Sequence, residues 1–249
     1  IDNGDAAKAI NMISDYSNLN LIGVHFHLGS PLFSTKPYEL GIRKVAEFIS
    51  KFDNFELQEF SPGGGFAVSY TREDDPPKVK EYADVICNTM NEVILEYNLP
   101  KPKLVIEPGR AIAGPAGVAI YTVGAIKTIE NVRKFISVDG GMGDNIRPAL
   151  YGSKYEAIVV NRLWDERPKE KVTIVGKYCE SGDILVKDIE LPEIKSGDII
   201  AIPVSGAYST SMASNYNMNP RPEIVALKDG MDMTIRKRET FADLFKMDV

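Results

Sequence analysis

The sequence predicts an α/β part followed by an all-β part, and three observations support that fold class. Helical and strand patterns alternate over residues 1–112, whereas residues 113–249 show short strand patterns separated by turns. The composition, 44% hydrophobic and 26% charged over 249 residues, is that of an ordinary globular chain. We therefore expect two domains, a partial (β/α) barrel over 1–112 and an antiparallel β-domain over 113–249.

The first domain shows strand patterns that alternate with helical ones, which is typical of parallel strands joined by crossover helices. The helical patterns cover 5–16, 36–52 and 78–97, and the strand patterns cover 21–28, 55–60 and 103–106. One unit of a (β/α)8 barrel takes roughly 31 residues, so this domain holds three to four of the eight units.

The second domain has the rhythm of an antiparallel β-barrel or sandwich. Its strand patterns cover 118–127, 134–138, 157–160, 172–175, 183–186, 198–203, 223–228 and 231–236. The last two patterns flank Asp229-Gly230, a typical tight-turn pair, and are predicted to form a hairpin.

Charge and composition exclude several classes of protein. The net charge of −6 disfavours general binding to nucleic acid or anionic lipid, and the longest nearly apolar run, 117–126, is shorter than the ~18 residues of a membrane span. Two cysteines are too few for a disulfide scaffold, so we expect a cytoplasmic protein. The chain begins with Ile1 and shows no signal peptide, so we expect it to be part of a longer gene product.

The ends of the first two predicted strands carry residues that suit ligand binding. Period-two alternation places His25 and His27 on one face of their strand, although they could also be hydrogen-bonded within a core strand. No third ligand for a metal ion is apparent. The glycines at 63–65 leave backbone N–H groups bare for an anion, although three glycines also suit a tight turn.

The third predicted strand delivers Glu107, Gly109 and Arg110, an acid, a bare backbone and a permanent cation. A salt bridge between Glu107 and Arg110 is the simplest alternative. Together the three strand ends favour a phosphate-bearing ligand, and a phosphorylated cofactor or a phosphorylated sugar would fit.

The second domain offers two further groups. Arg147 and Tyr151 lie four residues apart and could present a guanidinium and a phenol to one ligand, or form an exposed surface pair. Cys179 and Glu180 pair a possible thiol acid with a carboxylate, although a free cysteine is usually a small apolar residue. The run 139–144 lacks the glutamate that ends a calcium-binding loop.

Six segments together resemble the diaminopimelate decarboxylases, pyridoxal-phosphate enzymes of the alanine racemase fold. They are GVHFHLGS (23–30), SPGGGF (61–66), EPGR (107–110), DGGMGDNIRPALYG (139–152), CESGD (179–183) and GAYSTSMASNYN (206–217). The resemblance implies the C-terminal half of a (β/α)8 TIM-type barrel followed by the β-domain. It also implies a homodimer with shared active sites and decarboxylation of meso-2,6-diaminopimelate to L-lysine, the last step of lysine biosynthesis.

The resemblance implies roles for the residues of the six segments. His27 would stack on the cofactor ring, Glu107 would face the pyridine nitrogen, and Tyr208 would contact both cofactor and substrate. The cofactor phosphate would be held by Ser30, Gly63, Gly64, Gly65, Gly109 and Arg110. The substrate carboxylate would be bound by Arg110, Arg147 and Tyr151. Glu180 would bind the distal ammonium of the substrate, and Cys179 would reprotonate the α-carbon, reaching the partner subunit's site.

The sequence departs from the family pattern at three points. Phe26 stands where many relatives have cysteine, and Gly143 replaces a common asparagine. The Schiff-base lysine of the family lies upstream of the histidine strand, and no lysine here occupies that context, because Lys103 lies at the opposite end of its strand. We therefore expect the 249 residues alone to be inactive. Alternative functions are a sister decarboxylase of the ornithine, arginine or carboxynorspermidine type, and a non-catalytic binding or regulatory relative.

Overall fold

The computed structural model describes residues 1–249 apart from 2, 14, 53–55 and 163–166, and the chain divides into two compact units. The first unit comprises Ile1–Ser69 and Asp74–Ile112, and the second comprises Tyr70–Glu73 and Ala113–Val249. Each unit has its own hydrophobic core. Across the described ranges, no helix is long and apolar enough to cross a membrane.

The first unit contains a three-stranded parallel sheet in the order β1-β2-β3. Its elements are α1 (Asp5–Ile13), β1 (Gly23–His25), α2 (Lys36–Ile49), β2 (Glu59–Ser61), α3 (Val79–Glu96), β3 (Lys103–Leu104) and α4 (Gly109–Ala113), which ends one residue into the second unit. Helices α2 and α3 connect successive strands, so the predicted parallel alternation is confirmed for these strands.

The observed strands are shorter than the predicted ones. β2 ends at Ser61 because Pro62 has no N–H to donate to a sheet, and β1, which pairs with it, ends at His25. His27 therefore lies beyond the strand, in the segment that follows it. Part of the strand predicted over 55–60 falls outside the described residues.

The core of the first unit is built from the inner faces of α2 and α3 packed on the sheet. Tyr38, Phe66 and Tyr82 form an aromatic cluster with ring centroids 4.4–5.7 Å apart. The Tyr38 hydroxyl donates to the carbonyl oxygen of Gly64 at 2.7 Å, and burial raises the pKa of Tyr38 well above its ordinary value. Through this hydrogen bond, the aromatic cluster holds the glycine loop 63–65 against the core of the first unit.

The second unit contains a six-stranded sheet in the order β6-β9-β4-β5-β7-β8. Its elements are β4 (Ala119–Ile129), β5 (Arg133–Val138), α5 (Arg147–Tyr151), β6 (Ile158–Val159), β7 (Lys169–Val175), β8 (Ile184–Pro192) and β9 (Ile199–Ile202). The two edge strands, β6 and β8, lie close to one another, so the sheet is nearly closed like a barrel.

The prediction of an antiparallel domain is wrong for one strand pair. β5 and β7 run parallel, with Lys134 opposite Val172 and Ser137 opposite Val175. The chain between them is long enough to carry α5 and β6, and such a connection permits the crossover that parallel strands require. The sheet is therefore mixed.

The C-terminal part of the second unit holds a separate hairpin and a short helix. β10 (Ile224–Lys228) and β11 (Met231–Arg236) are antiparallel, and Asp229 and Gly230 between them both have positive φ, as a two-residue hairpin turn requires. The predicted hairpin is confirmed. A 3-10 turn covers Tyr216–Met218, and α6 (Phe241–Leu244) begins with a capping box formed by Thr240 and Asp243.

Candidate functional site

The glycine loop 63–65 follows β2 and exposes backbone rather than side chains. Gly63 and Gly65 have φ values of 78° and 100°, a region that strongly favours glycine. A Cβ on Gly64 would collide with the carbonyl oxygen of Glu107. The N–H of Gly64 donates to Nδ1 of His27 at 3.3 Å. The loop therefore needs its glycines to pack, and it fixes the orientation of the His27 ring.

Glu107, which follows β3, pairs with His25 at the end of β1. The distance between His25 Nε2 and Glu107 Oε2 is 3.2 Å, and both side chains are about half exposed, at 51% and 53%. His25 carries no role among the site residues predicted from the sequence. The alternation that placed it on the same face as His27 was the signal that could have found it.

Arg110 is turned toward Ser30. Its Nε and Nη2 lie 3.4 and 3.3 Å from Ser30 Oγ, and the residue is only 8% exposed. A Cβ built on the neighbouring Gly109 would meet no atom within 4 Å. The Arg110 guanidinium and the Ser30 hydroxyl are donors that suit a phosphate ester, and the open space at Gly109 leaves room for one beside them.

In the second unit, Arg147 is buried among aromatic rings rather than exposed as a surface residue. It is 7% exposed, and its Nη1 donates to the Tyr155 hydroxyl at 2.7 Å. Its guanidinium carbon lies 4.9 Å from the ring centroid of Tyr70, 5.5 Å from that of Tyr208 and 5.8 Å from that of Tyr155. Within the part of the chain that the structure describes, no carboxylate pairs with Arg147.

Tyr151 and Tyr208 differ in how they relate to this arginine. Tyr151, at the last residue of α5, is 63% exposed, so the two residues of the predicted pair have opposite environments. Tyr208 has a φ of 66°, which a tyrosine rarely adopts and which costs on the order of 1–3 kcal/mol. This backbone conformation accompanies the approach of the Tyr208 ring to Arg147.

Asp183 organises the turn that carries Cys179 and Glu180. Its buried carboxylate accepts N–H bonds from Met142 at 2.6 Å and from Tyr178 at 2.8 Å. Burial raises the pKa of Asp183 despite these two bonds. One carboxylate thus joins the glycine-rich loop 139–144 to the cysteine turn.

The glycines of loop 139–144 are explained by what surrounds them. A Cβ on Gly141 would meet the carboxylate of Asp183. A Cβ on Gly143 would collide with the hydroxyl of Tyr178, so an asparagine at 143 would require Tyr178 to move. The departure at Gly143 therefore has a packing reason in this chain.

Cys179 and Glu180 are exposed and meet the segment that follows Tyr208. The N–H of Cys179 donates to Asn217 Oδ1 at 2.9 Å, and the Tyr216 hydroxyl lies 3.4 Å from Glu180 Oε2. Two motifs that are far apart in the sequence thus form one surface. No group of three His, Cys, Asp or Glu residues able to hold a metal ion is found among the described residues.

Comparisons with known proteins agree with the geometry of both units. The family model described as pyridoxal-dependent decarboxylase, C-terminal sheet domain, matches residues 13–206. Diaminopimelate decarboxylase of Bacillus subtilis is 42% identical over 100% of this chain, and that of Synechocystis is 44% identical over 95%. The crystal structure of the M. jannaschii diaminopimelate decarboxylase in complex with L-lysine is 36% identical, with a TM-score of 0.94 over 100% of this chain.

The chain spans only part of these relatives, covering 57% of the Bacillus protein, 50% of the Synechocystis protein and 56% of the M. jannaschii chain. The family match nevertheless extends over more than half of the 249 residues, and it includes the glycine loop, Glu107, Arg147 and Cys179. The chain therefore belongs to the pyridoxal-dependent decarboxylase family that is defined by its C-terminal sheet domain.

Proposed function

We propose that the chain is the larger part of a carboxy-lyase that converts meso-2,6-diaminopimelate to L-lysine with pyridoxal phosphate, in the cytoplasm. The single observation that carries the proposal is the buried guanidinium of Arg147, which has no carboxylate partner among the described residues. An uncompensated buried cation is costly unless an anionic ligand approaches it. Diaminopimelate keeps a carboxylate after it has lost one as CO2, and that carboxylate is the proposed partner.

The first unit has residues that fit pyridoxal phosphate. Ser30 and Arg110 supply a hydroxyl and a guanidinium for the phosphate, and Gly109 leaves room beside them. Gly63, Gly64 and Gly65 contribute bare backbone, and His27 would lie against the cofactor ring. When bound, pyridoxal phosphate supplies an electron sink for the pair of electrons left on the α-carbon by departing CO2.

Glu107 would hold a proton at the pyridine nitrogen of the cofactor, because a carboxylate next to that nitrogen favours its protonated, more electron-withdrawing form. The hydrogen bond from His25 fixes one oxygen of Glu107. The other oxygen is then the one that would face the cofactor. We assign His25 to orient Glu107 in this role.

The second unit would recognise the substrate and return a proton to it. Arg147 and Tyr151 would bind the retained carboxylate, and Tyr208 would line the same site. Glu180 would bind the distal ammonium. Cys179 is exposed, so its thiol is accessible to a ligand, and it would deliver its Sγ proton to the α-carbon after CO2 has left. In a homodimer with shared active sites, that α-carbon would belong to the partner subunit's substrate.

The larger architecture implied by this function is also a proposal. The three parallel strands of the first unit would be the C-terminal part of a (β/α)8 barrel. A segment equivalent to the portion of the relatives that this chain does not cover would complete that barrel. The lysine that carries the cofactor would lie in that portion. The 249 residues alone are accordingly expected not to turn over substrate.

The test is CO2 release by the full-length protein loaded with pyridoxal phosphate. Turnover of diaminopimelate is expected, with ornithine and arginine at least about a hundredfold slower, because each would leave Arg147 without a carboxylate once CO2 has departed. Faster turnover of ornithine or arginine would transfer the chain to a sister decarboxylase. No turnover of any of the three, with the cofactor bound, would favour a non-catalytic relative.

A substitution at Cys179 tests the proposed acid. Cys179→Ser should lower kcat on diaminopimelate at least about a hundredfold, because a hydroxyl is a far weaker acid than a thiol. Cofactor absorbance should stay unchanged. Cys87→Ser is the matched control, because Cys87 is also an exposed cysteine and lies on α3. This variant should keep wild-type activity. Full activity of the Cys179 variant would remove this residue from the proposed mechanism.

A further inference from the structure

The guanidinium of Arg147 is held by neutral aromatic groups. Tyr155 accepts one of its N–H bonds at 2.7 Å, and the rings of Tyr70 and Tyr155 themselves pack edge to face, with centroids 5.1 Å apart. Tyr155 is buried, so its hydroxyl has a fixed environment. These contacts restrain both the position of the guanidinium and the plane in which it lies.

Neutral partners have a chemical consequence that a carboxylate would not have. A phenol oxygen accepts one hydrogen bond without cancelling the positive charge, and ring faces attract a cation while leaving its N–H groups unbonded. Among the described residues, the guanidinium donates only to Tyr155, so its remaining donors and its full charge are available for a ligand. A preorganised guanidinium can bind a carboxylate with two parallel hydrogen bonds at little entropic cost.

We infer that Tyr155 and Tyr70 are positioning residues that hold Arg147 ready for the carboxylate of an amino-acid ligand. The inference rests on the proposed function and adds two residues that lie outside all six motifs. Their contribution should appear in the affinity for ligands that carry the carboxylate and not in the chemistry at the α-carbon.

The segment that carries Tyr70 is fixed to the second unit by two hydrogen bonds of its backbone. The N–H of Glu156 donates to the carbonyl oxygen of Tyr70 at 3.2 Å, and the N–H of Arg72 donates to Glu156 Oε1 at 3.1 Å. Glu156 directly follows Tyr155, so the two aromatic residues are held in register with one another. The positioning of Arg147 is thus built into the pairing of 70–72 with 155–156.

The test compares two ligands that differ by one carboxylate, L-lysine and cadaverine, by calorimetry on the full-length protein loaded with cofactor. Tyr155→Phe removes the hydroxyl and keeps the ring, so it should weaken L-lysine binding about tenfold and change cadaverine binding less than about twofold. KM for diaminopimelate should rise about tenfold while kcat changes less than about threefold. Tyr70→Leu, which removes the ring, should weaken L-lysine binding about fivefold. Tyr70→Phe, which keeps the ring, should bind L-lysine like the wild type.

Tyr121→Phe is the matched control, because Tyr121 is a buried tyrosine of the same core and is not among the described partners of Arg147. It should bind both ligands like the wild type. If Arg147→Met abolishes the preference for L-lysine but Tyr155→Phe and Tyr70→Leu keep it, the positioning role is wrong and the proposed function stands. If the wild type itself shows no preference for L-lysine over cadaverine, the carboxylate role of Arg147 fails, and the positioning role fails with it. Should Tyr155→Phe fail to fold, the Tyr70 pair decides.

Discussion

The two units build their candidate sites from different materials. In the first unit, half-exposed His25 and Glu107 and the neighbouring Ser30–Arg110 pair surround a loop that is almost entirely backbone. In the second unit, Arg147 is enclosed by large aromatic side chains. A backbone loop suits an anion that must approach closely, whereas an aromatic enclosure suits a cation that must stay charged away from water.

The difference also affects what each site tolerates. The backbone site depends on the absence of side chains, so adding a methyl group should damage it. The side-chain site and the turn beside it depend on a few buried polar partners, so removing one of them should leave donors unsatisfied. Adding a methyl group therefore tests the first site, and removing a polar side chain tests the second.

The largest expected effect is the loss of a buried acceptor in the second unit. Asp183→Ala leaves the N–H groups of Met142 and Tyr178 without their partner, and it should lower the free energy of unfolding by about 4 kcal/mol. Urea denaturation measures this change. Asp139→Ala is the control, because Asp139 is exposed and accepts a bond from the N–H of Thr122; a loss of about 1 kcal/mol is expected. Equal losses for the two variants would contradict the role given to Asp183.

The next effect is the addition of a methyl group in the first unit. Gly64→Ala would force its Cβ into the carbonyl oxygen of Glu107, and it should lower the free energy of unfolding by about 3 kcal/mol. Gly109→Ala, where a Cβ meets nothing, should change it by less than about 0.5 kcal/mol. The same Gly109 variant should weaken pyridoxal phosphate binding about tenfold, since its methyl group would enter the proposed phosphate site. Unaltered cofactor absorbance on titration of that variant would argue against the site.

The smallest effect concerns a carboxylate that belongs to neither site. Glu239 accepts hydrogen bonds from the side chain and N–H of Arg221 and from Asn215 at 2.6 Å, and the Arg221 guanidinium lowers the pKa of Glu239 to about 2. Because the pKa is lower in the folded state, this stabilisation is present above about pH 4.5 and is lost as the pH falls toward 2.

Glu239→Gln should accordingly lower the melting temperature by about 3 °C at about pH 7 and leave it unchanged near pH 2. Thermal unfolding followed by circular dichroism at a series of pH values measures the difference. Glu223→Gln is the control, because Glu223 is more exposed and its oxygen lies 3.9 Å from Arg238. A Glu239 variant whose deficit is constant with pH would show that charge is not the cause.

The residues that lie together in the first unit are easier to anticipate from the sequence than those around Arg147, for a physical reason. His27, the glycine loop and Arg110 come from short motifs at the ends of consecutive strands, and parallel strands bring those ends together. Tyr70 and Tyr155 have ordinary neighbours in the sequence. They meet Arg147 only through tertiary packing, which no local pattern reports.

The errors in the fold have the same origin. Helices α2 and α3 and the hairpin β10–β11 are encoded by local periodicity and turn residues, and they form as predicted. The parallel pairing of β5 with β7 depends on the path of a long connection, and the early end of β1 depends on the proline that ends its neighbour. Both are properties of pairs of segments that are separate in the sequence.

The short excursion Tyr70–Glu73 makes the second unit discontinuous in the sequence. A chain cut at Ala113 would keep all six strands of the barrel-like sheet and would still lack the ring at 4.9 Å from the Arg147 guanidinium carbon. The contact between Tyr70 and Arg147 joins residues that are far apart in the sequence, as the pairing of β4 with β9 does within the sheet. The surroundings of Arg147 are therefore complete only when a residue from outside the continuous stretch Ala113–Val249 joins the second unit.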